Sequence, residues 1–187
     1  MNEPLKVGMV GFGISAQVFH APFITTVPGF ELVSVLERTN TESPKVYPSV
    51  RVVRSIEEMV DDKDIELVVI TTPNETHYPY AEKALQAGKH VVLEKPFTNT
   101  TDEAKKLIAL AKEKNRIISV YQNRRYVSDF LTIQEILNKK MLGDVHEFNA
   151  HYDRYRMEAR PNAWREAPKP GSGIFYDLGS HLIDQAL

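Results

Sequence analysis

Cysteine is absent from this chain of 187 residues, which excludes disulfides and thiolate metal sites. The same absence fits a reducing compartment, so a cytoplasmic location is expected. Surplus charge of either sign is also lacking. The formal net charge is −2, which gives no electrostatic case for nucleic acid as a partner. No apolar run approaches the length of a membrane span. The start Met1-Asn2-Glu3-Pro4 carries no basic stretch leading into an apolar one, so no signal peptide is expected. At this length a chain can bury a core and make one domain with part of a second.

What is present is a regular alternation of strand and helix signals. Leu5-Lys6-Val7-Gly8-Met9-Val10 reads as a short buried strand, and Gly11-Phe12-Gly13-Ile14-Ser15-Ala16 follows at once, with a helix expected from about Ser15. This is the G-x-G-x-x-A form of the dinucleotide fingerprint. Gly11 allows the tight turn, Gly13 lets the backbone approach a pyrophosphate, and the small Ala16 lets helix and strand pack closely. The amides from Ile14 onward, at the helix start, can meet the anion. A second strand, Phe30 to Leu36, ends at Glu37-Arg38. An acidic residue there can accept from ribose hydroxyls and favours NAD, whereas an arginine beside it can hold the extra phosphate of NADP. The pair also reads as a solvated charge pair, and the cofactor stays open between NAD and NADP.

The alternation continues. Ser55 to Val60 predicts a short helix opened by a serine cap. Leu67 to Thr71 is an apolar strand broken by Thr72-Pro73-Asn74, and a helix follows from Asn74 to Gly88, with Tyr80, Ala81, Ala84 and Leu85 inward. His90 to Leu93 is a strand that delivers Glu94-Lys95-Pro96 to its carboxyl end, where ligands bind in open α/β sheets. On its own the tripeptide also reads as a polar strand end with an exposed lysine. Thr100 to Glu103 is a capping box, and Ile117 to Val120 a last buried strand. The fold class is therefore α/β: a Rossmann doubly wound parallel sheet. After Gly143 the pattern changes. Phe148, Ala150 and Tyr152 alternate with polar residues, which predicts a strand over 145–156 in a mainly antiparallel, open-faced sheet of an α+β domain. The expected division is 1–121 and 122–187, the helix from about Ser128 to Met141 bridging the two.

Near the end, Asp177 and His181 are four apart, so a helix puts them on one face, with Asp184 one turn on. A histidine beside a carboxylate is a usual general base. The same residues also read as a helix start capped by Asp177, with His181 a satisfied polar side chain. A metal site at His151-Tyr152-Asp153 is not expected.

Taken in order, Gly11 to Ala16, Thr72-Pro73-Asn74-Glu75-Thr76-His77, Glu94-Lys95-Pro96, and Asp177 with His181 resemble the Gfo/Idh/MocA family of NAD(P)-dependent oxidoreductases. Phe19-His20-Ala21-Pro22, Asn123-Arg124-Arg125 and the stretch Tyr176 to His181 look most like a subgroup that includes NADP-dependent scyllo-inositol dehydrogenases. The resemblance implies hydride transfer between a nicotinamide cofactor and the CH–OH group of a sugar or cyclic polyol. It implies Lys95 beside the nicotinamide and the reacting oxygen, His181 as the base for the hydroxyl proton, and Asp177 orienting a neighbouring hydroxyl. It sets Thr72, Pro73, Asn74 and His77 along the cofactor, and Glu94 as the residue that orients Lys95. Asn123, Arg124, Trp164, Arg165 and His151 are candidates for the substrate pocket, with Trp164 also read as a packing residue. The family often pairs through the sheet of the second domain, so a homo-oligomer is expected of a full-length form. Members are nearly twice as long, so a fragment, inactive alone, is expected. A dinucleotide-binding regulator without turnover is the alternative; Lys95 and His181 speak for the enzyme.

Overall fold

Valine, isoleucine and leucine runs that are apolar on both faces form the strands of the first half. In the computed structural model, which describes residues 3–153, 155, 157–158 and 168–187, these runs build one six-stranded sheet. The strands are β1 (Leu5–Val10), β2 (Phe30–Leu36), β3 (Arg51–Val53), β4 (Leu67–Ile70), β5 (His90–Leu93) and β6 (Ile118–Val120). All pairings are parallel, in the order β3-β2-β1-β4-β5-β6. The order reverses beside β1, which opens a crevice beyond the carboxyl ends of β1 and β4. Register sharpens that crevice. Val10 is level with Leu36 and Ile70, Leu36 with Val53, Ile70 with Leu93, and Leu93 with Val120. All six strands therefore end in one row, and the residue that follows each strand of the first unit stands on a common rim.

Side chains alternate between the two faces of the sheet. Val10, Leu36, Val68, Ile70, Val91 and Leu93 pack in one apolar cluster with Met59, Ala81, Ala84, Leu85 and Leu107. Val7, Met9, Val35 and Val69 pack in the other with Ala16, Ala21 and Ile24. The helices that cover them are α1 (Ala21–Thr26), α2 (Ser43–Val46), α3 (Ile56–Asp61), α4 (His77–Gln86) and α5 (Thr101–Glu113). The caps lie where the sequence puts them. Ser55 Oγ accepts from the Glu58 amide at 3.2 Å, and Thr100 and Glu103 form a capping box at the start of α5. Helix α2 and strand β3 are additions to the sequence reading. They have four and three residues, too few to show a period. The first helix also differs, because α1 is entered through a widened π turn at Ala16–His20.

The chain divides into two compact units, Met1–Val120 and Tyr121–Leu187. The second contains a 3₁₀ turn Asn123–Tyr126, helix α6 (Ser128–Asn138), a π turn Phe175–Gly179 and helix α7 (Ser180–Ala186). The alternating segment 145–156 departs from expectation: its described residues 145–153 form no strand. A strand is defined by its ladder, and no described residue pairs with this one, so alternation alone does not make it extended β structure. No helix of the described residues is long and apolar enough to cross a membrane.

Candidate functional site

The two fingerprint glycines are held by different constraints. Gly11 has φ +92°, and a Cβ there would meet Thr72 Cγ2 at 3.0 Å and Thr71 Oγ1 at 3.2 Å. The turn itself demands this glycine. Gly13 has an ordinary φ, and a Cβ there would meet nothing within 4 Å. Its own chain gives no reason for a glycine. It stands on the wall of a cavity of about 370 Å³, together with Gly11, Phe12, Leu36, Glu37, Arg38, Thr39, Asn40, Glu42 and, opposite, Thr72, Pro73, Glu75, Thr76 and Tyr80. An open space against a bare backbone at the switch point suits a ligand that must come close to the main chain. Ala16 is fully buried against the β1 side of the sheet, as close helix–strand packing requires, and Ile14 beside the turn is 79% exposed.

On the β2 side, Glu37 behaves differently from a free ribose acceptor. It is buried, and its carboxylate accepts from the Ser43 amide at 2.8 Å, the Ser43 hydroxyl at 2.6 Å and the Glu42 amide at 2.9 Å. Burial pushes this carboxyl up, but the hydrogen bonds from Ser43 and Glu42 outweigh it, and the net pKa lies below the ordinary value. Arg54 donates to the carbonyls of Glu37 and Asn40 and to Thr41 Oγ1, tying down the loop between β2 and α2. Arg38 is exposed on the cavity wall and makes no hydrogen bond or ion pair with a described residue.

At the end of β5, the Glu94 carboxylate reaches back across the sheet. It accepts from Ser15 Oγ and, at 3.0 Å, from His20 Nε2, and Glu94 Oε2 accepts from the Lys95 amide at 3.1 Å. Burial raises its pKa, the bonds from His20 and Ser15 lower it, and the lowering wins, so it is a carboxylate with His20 as donor. Glu94 thus ties the fingerprint turn to the backbone that carries Lys95. The Lys95–Pro96 peptide is cis. His77 is fully buried between two loops, with Nδ1 2.8 Å from the Pro96 carbonyl and Nε2 2.9 Å from the Thr72 carbonyl. Burial lowers its pKa more than these carbonyls raise it. A neutral imidazole carries one N–H, so His77 donates to one of these two carbonyls and packs against the other, between the Thr72-Pro73-Asn74 loop and the loop after Lys95. Asn74 is buried beside it in sequence, and Thr72 and Pro73 face the cavity.

In the second unit, Asp177 lies inside the π turn rather than at a helix cap, and His181 lies in the first turn of α7. Both are buried. Asp184 is spent on a two-pronged bond from Arg125, with Nε donating at 2.8 Å. Asn123 and Arg124 share the preceding 3₁₀ turn, where the Arg124 carbonyl accepts from Gln185 Nε2 at 3.0 Å. Trp164 and Arg165 lie outside the described residues. His151 is exposed. Among the described residues no group of three or more His, Asp or Glu side chains could hold a metal ion. Sequence reasoning missed Ser15 and His20 as partners of Glu94. One signal was available: Ala16, His20 and Ile24 recur every fourth residue, which sets His20 on the buried stripe.

Comparison with known proteins gives two family matches. Residues 5–122 match the GFO_IDH_MocA model, described as an oxidoreductase family with an NAD-binding Rossmann fold. Residues 130–187 match the GFO/IDH/MocA C-terminal domain. The chain is 46% identical over 187 residues to the uncharacterized oxidoreductase YdgJ of Escherichia coli strain K12, covering 100% of this chain and 54% of YdgJ. It is 40% identical over 185 residues to the scyllo-inositol 2-dehydrogenase (NADP(+)) IolW of Bacillus subtilis strain 168, covering 99% of this chain and 51% of IolW. The solved structure of yvaA from Bacillus subtilis superposes with a TM-score of 0.93 at 40% identity, over 99% of this chain and 53% of that one. The chain thus spans about half the length of the curated relatives it matches.

Proposed function

The chain belongs to the Gfo/Idh/MocA family of oxidoreductases, and from that premise we propose that it serves hydride transfer between a nicotinamide dinucleotide and the CH–OH group of a sugar or cyclic polyol. One observation carries the cofactor half of this reading. Gly13 is a glycine that its own fold does not need, at the edge of a cavity beyond the carboxyl ends of β1 and β4. A pyrophosphate against that backbone would explain it. Gly11, Gly13, Thr72 and Pro73 would hold the dinucleotide, and when bound its nicotinamide would accept or supply the hydride.

The chain's own residues have the remaining tasks. Lys95 puts a cation beside the oxygen that gains negative charge as the carbinol is oxidised. His181 takes the hydroxyl proton as general base, and Asp177 accepts from a neighbouring hydroxyl and sets its orientation. Glu94, bonded to Ser15 and His20 and accepting from the Lys95 amide, links the fingerprint turn to the backbone that carries Lys95. The inositol substrate in the name of IolW supports a polyhydroxylated substrate class.

Calorimetric titration of Gly13→Val with NAD and NADP tests the reading. The variant has room in its own fold, so it should stay folded and lose both cofactors by at least about tenfold. Unchanged affinity sinks the site. A turnover screen against inositols and aldoses separates a dehydrogenase from a dinucleotide-binding regulator.

A further inference from the structure

We propose that Ser15 and His20 are positioning residues for hydride transfer: acting through Glu94 on the backbone of Lys95, they set Lys95 when the fingerprint turn is occupied. This rests on the dinucleotide reading above and adds the residues through which one end of that site acts on the other. All of them belong to the first unit. Ser15 follows Gly13 by two positions, and His20 lies five beyond Ser15. Residues five apart are poor partners on an α-helix, because they point roughly 140° away from each other around its axis. The π turn Ala16–His20 removes that obstacle. The Ala21 amide donates to the Ala16 carbonyl five residues back, and a turn of that width carries the fifth residue nearly over the first. Ser15 Oγ and His20 Nε2 donate to the same oxygen, Glu94 Oε1, the histidine at 3.0 Å.

The second Glu94 oxygen carries the effect forward. Oε2 accepts from the Lys95 amide at 3.1 Å, and the Glu94 amide donates to the Ile70 carbonyl at 3.0 Å. Two donors on Oε1 fix the plane of the carboxylate, and that plane decides how Oε2 meets the Lys95 N–H. On the far side, the Pro96 carbonyl lies 2.8 Å from His77 Nδ1. Lys95 is bracketed by these bonds, and the one through Glu94 leads back to the fingerprint turn. Ser15 is the link to a ligand. Its amide lies in the first helical turn after Gly13, the stretch that a pyrophosphate approaches. An anion that orders this turn therefore orders the Ser15 hydroxyl as well. The network is stiff: the side chains of His20 and Glu94 are 4% and 12% exposed, and charge-assisted bonds away from water are costly to rearrange. A displacement at one end is passed on rather than absorbed. Hydride transfer responds to small displacements, since a misplacement of about 1 Å can cost roughly a hundredfold in rate.

The test is amide hydrogen exchange at Lys95, read by NMR with and without ADP, a probe that carries the adenosine and the pyrophosphate and stops short of the nicotinamide. In the wild-type chain ADP should slow exchange of the Lys95 amide by at least about threefold. Ser15→Ala keeps its own amide and suits a helix, so it should bind ADP within about threefold of wild type and lose the response at Lys95. His20→Leu should lose it too, while His20→Gln, which can still donate to Glu94, should retain it. In whatever length of chain turns over, His20→Leu should lower kcat at least about tenfold with KM little changed, and should have no further effect in a Lys95→Ala background. A Lys95 amide that ADP does not protect in the wild type overturns the proposal. So does a response that survives Ser15→Ala, or a His20→Leu effect on kcat that is undiminished without Lys95. Failure of ADP to bind the wild type would overturn the dinucleotide reading itself, and this proposal with it.

Discussion

The two units of this chain differ in how much apolar surface their described residues bury. In the first, Val7, Met9, Val10, Met59, Ile70, Leu85, Leu93 and Leu107 are wholly removed from solvent on the two faces of a fully paired sheet. In the second, Phe130 is the sole buried large hydrophobic side chain among the described residues, and the buried polar ones are Asp177 and His181. Leu131, Ile133, Leu137, Met141 and Leu142 of its helix α6 region are exposed. Apolar burial is the main source of folding stability, so the first unit holds its own fold. The second buries Asp177 and His181, two of the residues proposed for chemistry, with Phe130 as its buried large apolar side chain among the described residues. The difference teaches that apolar burial is concentrated in the first unit, while the residues proposed for chemistry are shared by both, Lys95 in the first and Asp177 and His181 in the second.

Hydrogen exchange should show the largest contrast. Amides of β1, β4 and β5 should exchange at least roughly a thousandfold more slowly than those of α6 and α7, since core strands open only near the global free energy. Accordingly the 187-residue chain should bind dinucleotide and show little turnover. Uniform protection through Leu187, or robust turnover, would break the comparison.

Truncation of one leucine in each unit sharpens it. Leu85→Ala in α4 removes a fully buried side chain and should cost ~2–5 kcal/mol in urea unfolding. Leu137→Ala in α6, at a position 43% exposed, should stay within about 0.5 kcal/mol. Similar costs at both positions would mean that α6 has a core of its own.

Function should cut across the division. Lys95→Ala in the first unit and His181→Ala in the second should each lower kcat by roughly two orders of magnitude, in whatever length of chain turns over. Dinucleotide affinity should move far less. Near wild-type turnover in either variant removes that residue from the mechanism.

The smallest effect is in pH. His77 has its pKa lowered by burial from the ordinary 6.5, so its unfolded form binds a proton first. Stability is then full above about 6.5 and falls as the pH drops below it. Glu37 and Glu94 have pKa values below the ordinary 4.5, so their contribution persists above that value and is lost as acid passes through their lower folded values. Urea midpoints of the wild type should decline in two stages. His77→Asn should flatten the first, and Glu94→Gln should weaken the second. A wild-type profile in both variants would show that neither group is linked to folding.

Much of the first unit was legible because its signals are local. Strand runs, the Ser55 and Thr100 caps and the Gly11 turn each depend on residues within a few positions. Helix α2 and strand β3 escaped because three or four residues carry no period, and the alternation at 148–152 misled because a strand needs a partner that no local pattern supplies. The sequence by itself determined the α/β alternation, the fingerprint and the residue types delivered to the ends of the strands. Only the tertiary structure decided how those residues are used. Level strand ends put Gly11, Glu37, Thr71 and Glu94 on one rim. Glu94 meets His20 and Ser15 across 74 and 79 residues of chain, and Glu37, on the cavity wall, accepts from Ser43. Such bonds depend on crossover path and register, which bring together residues that share no local pattern, so no reading of neighbours along the chain could have assigned them.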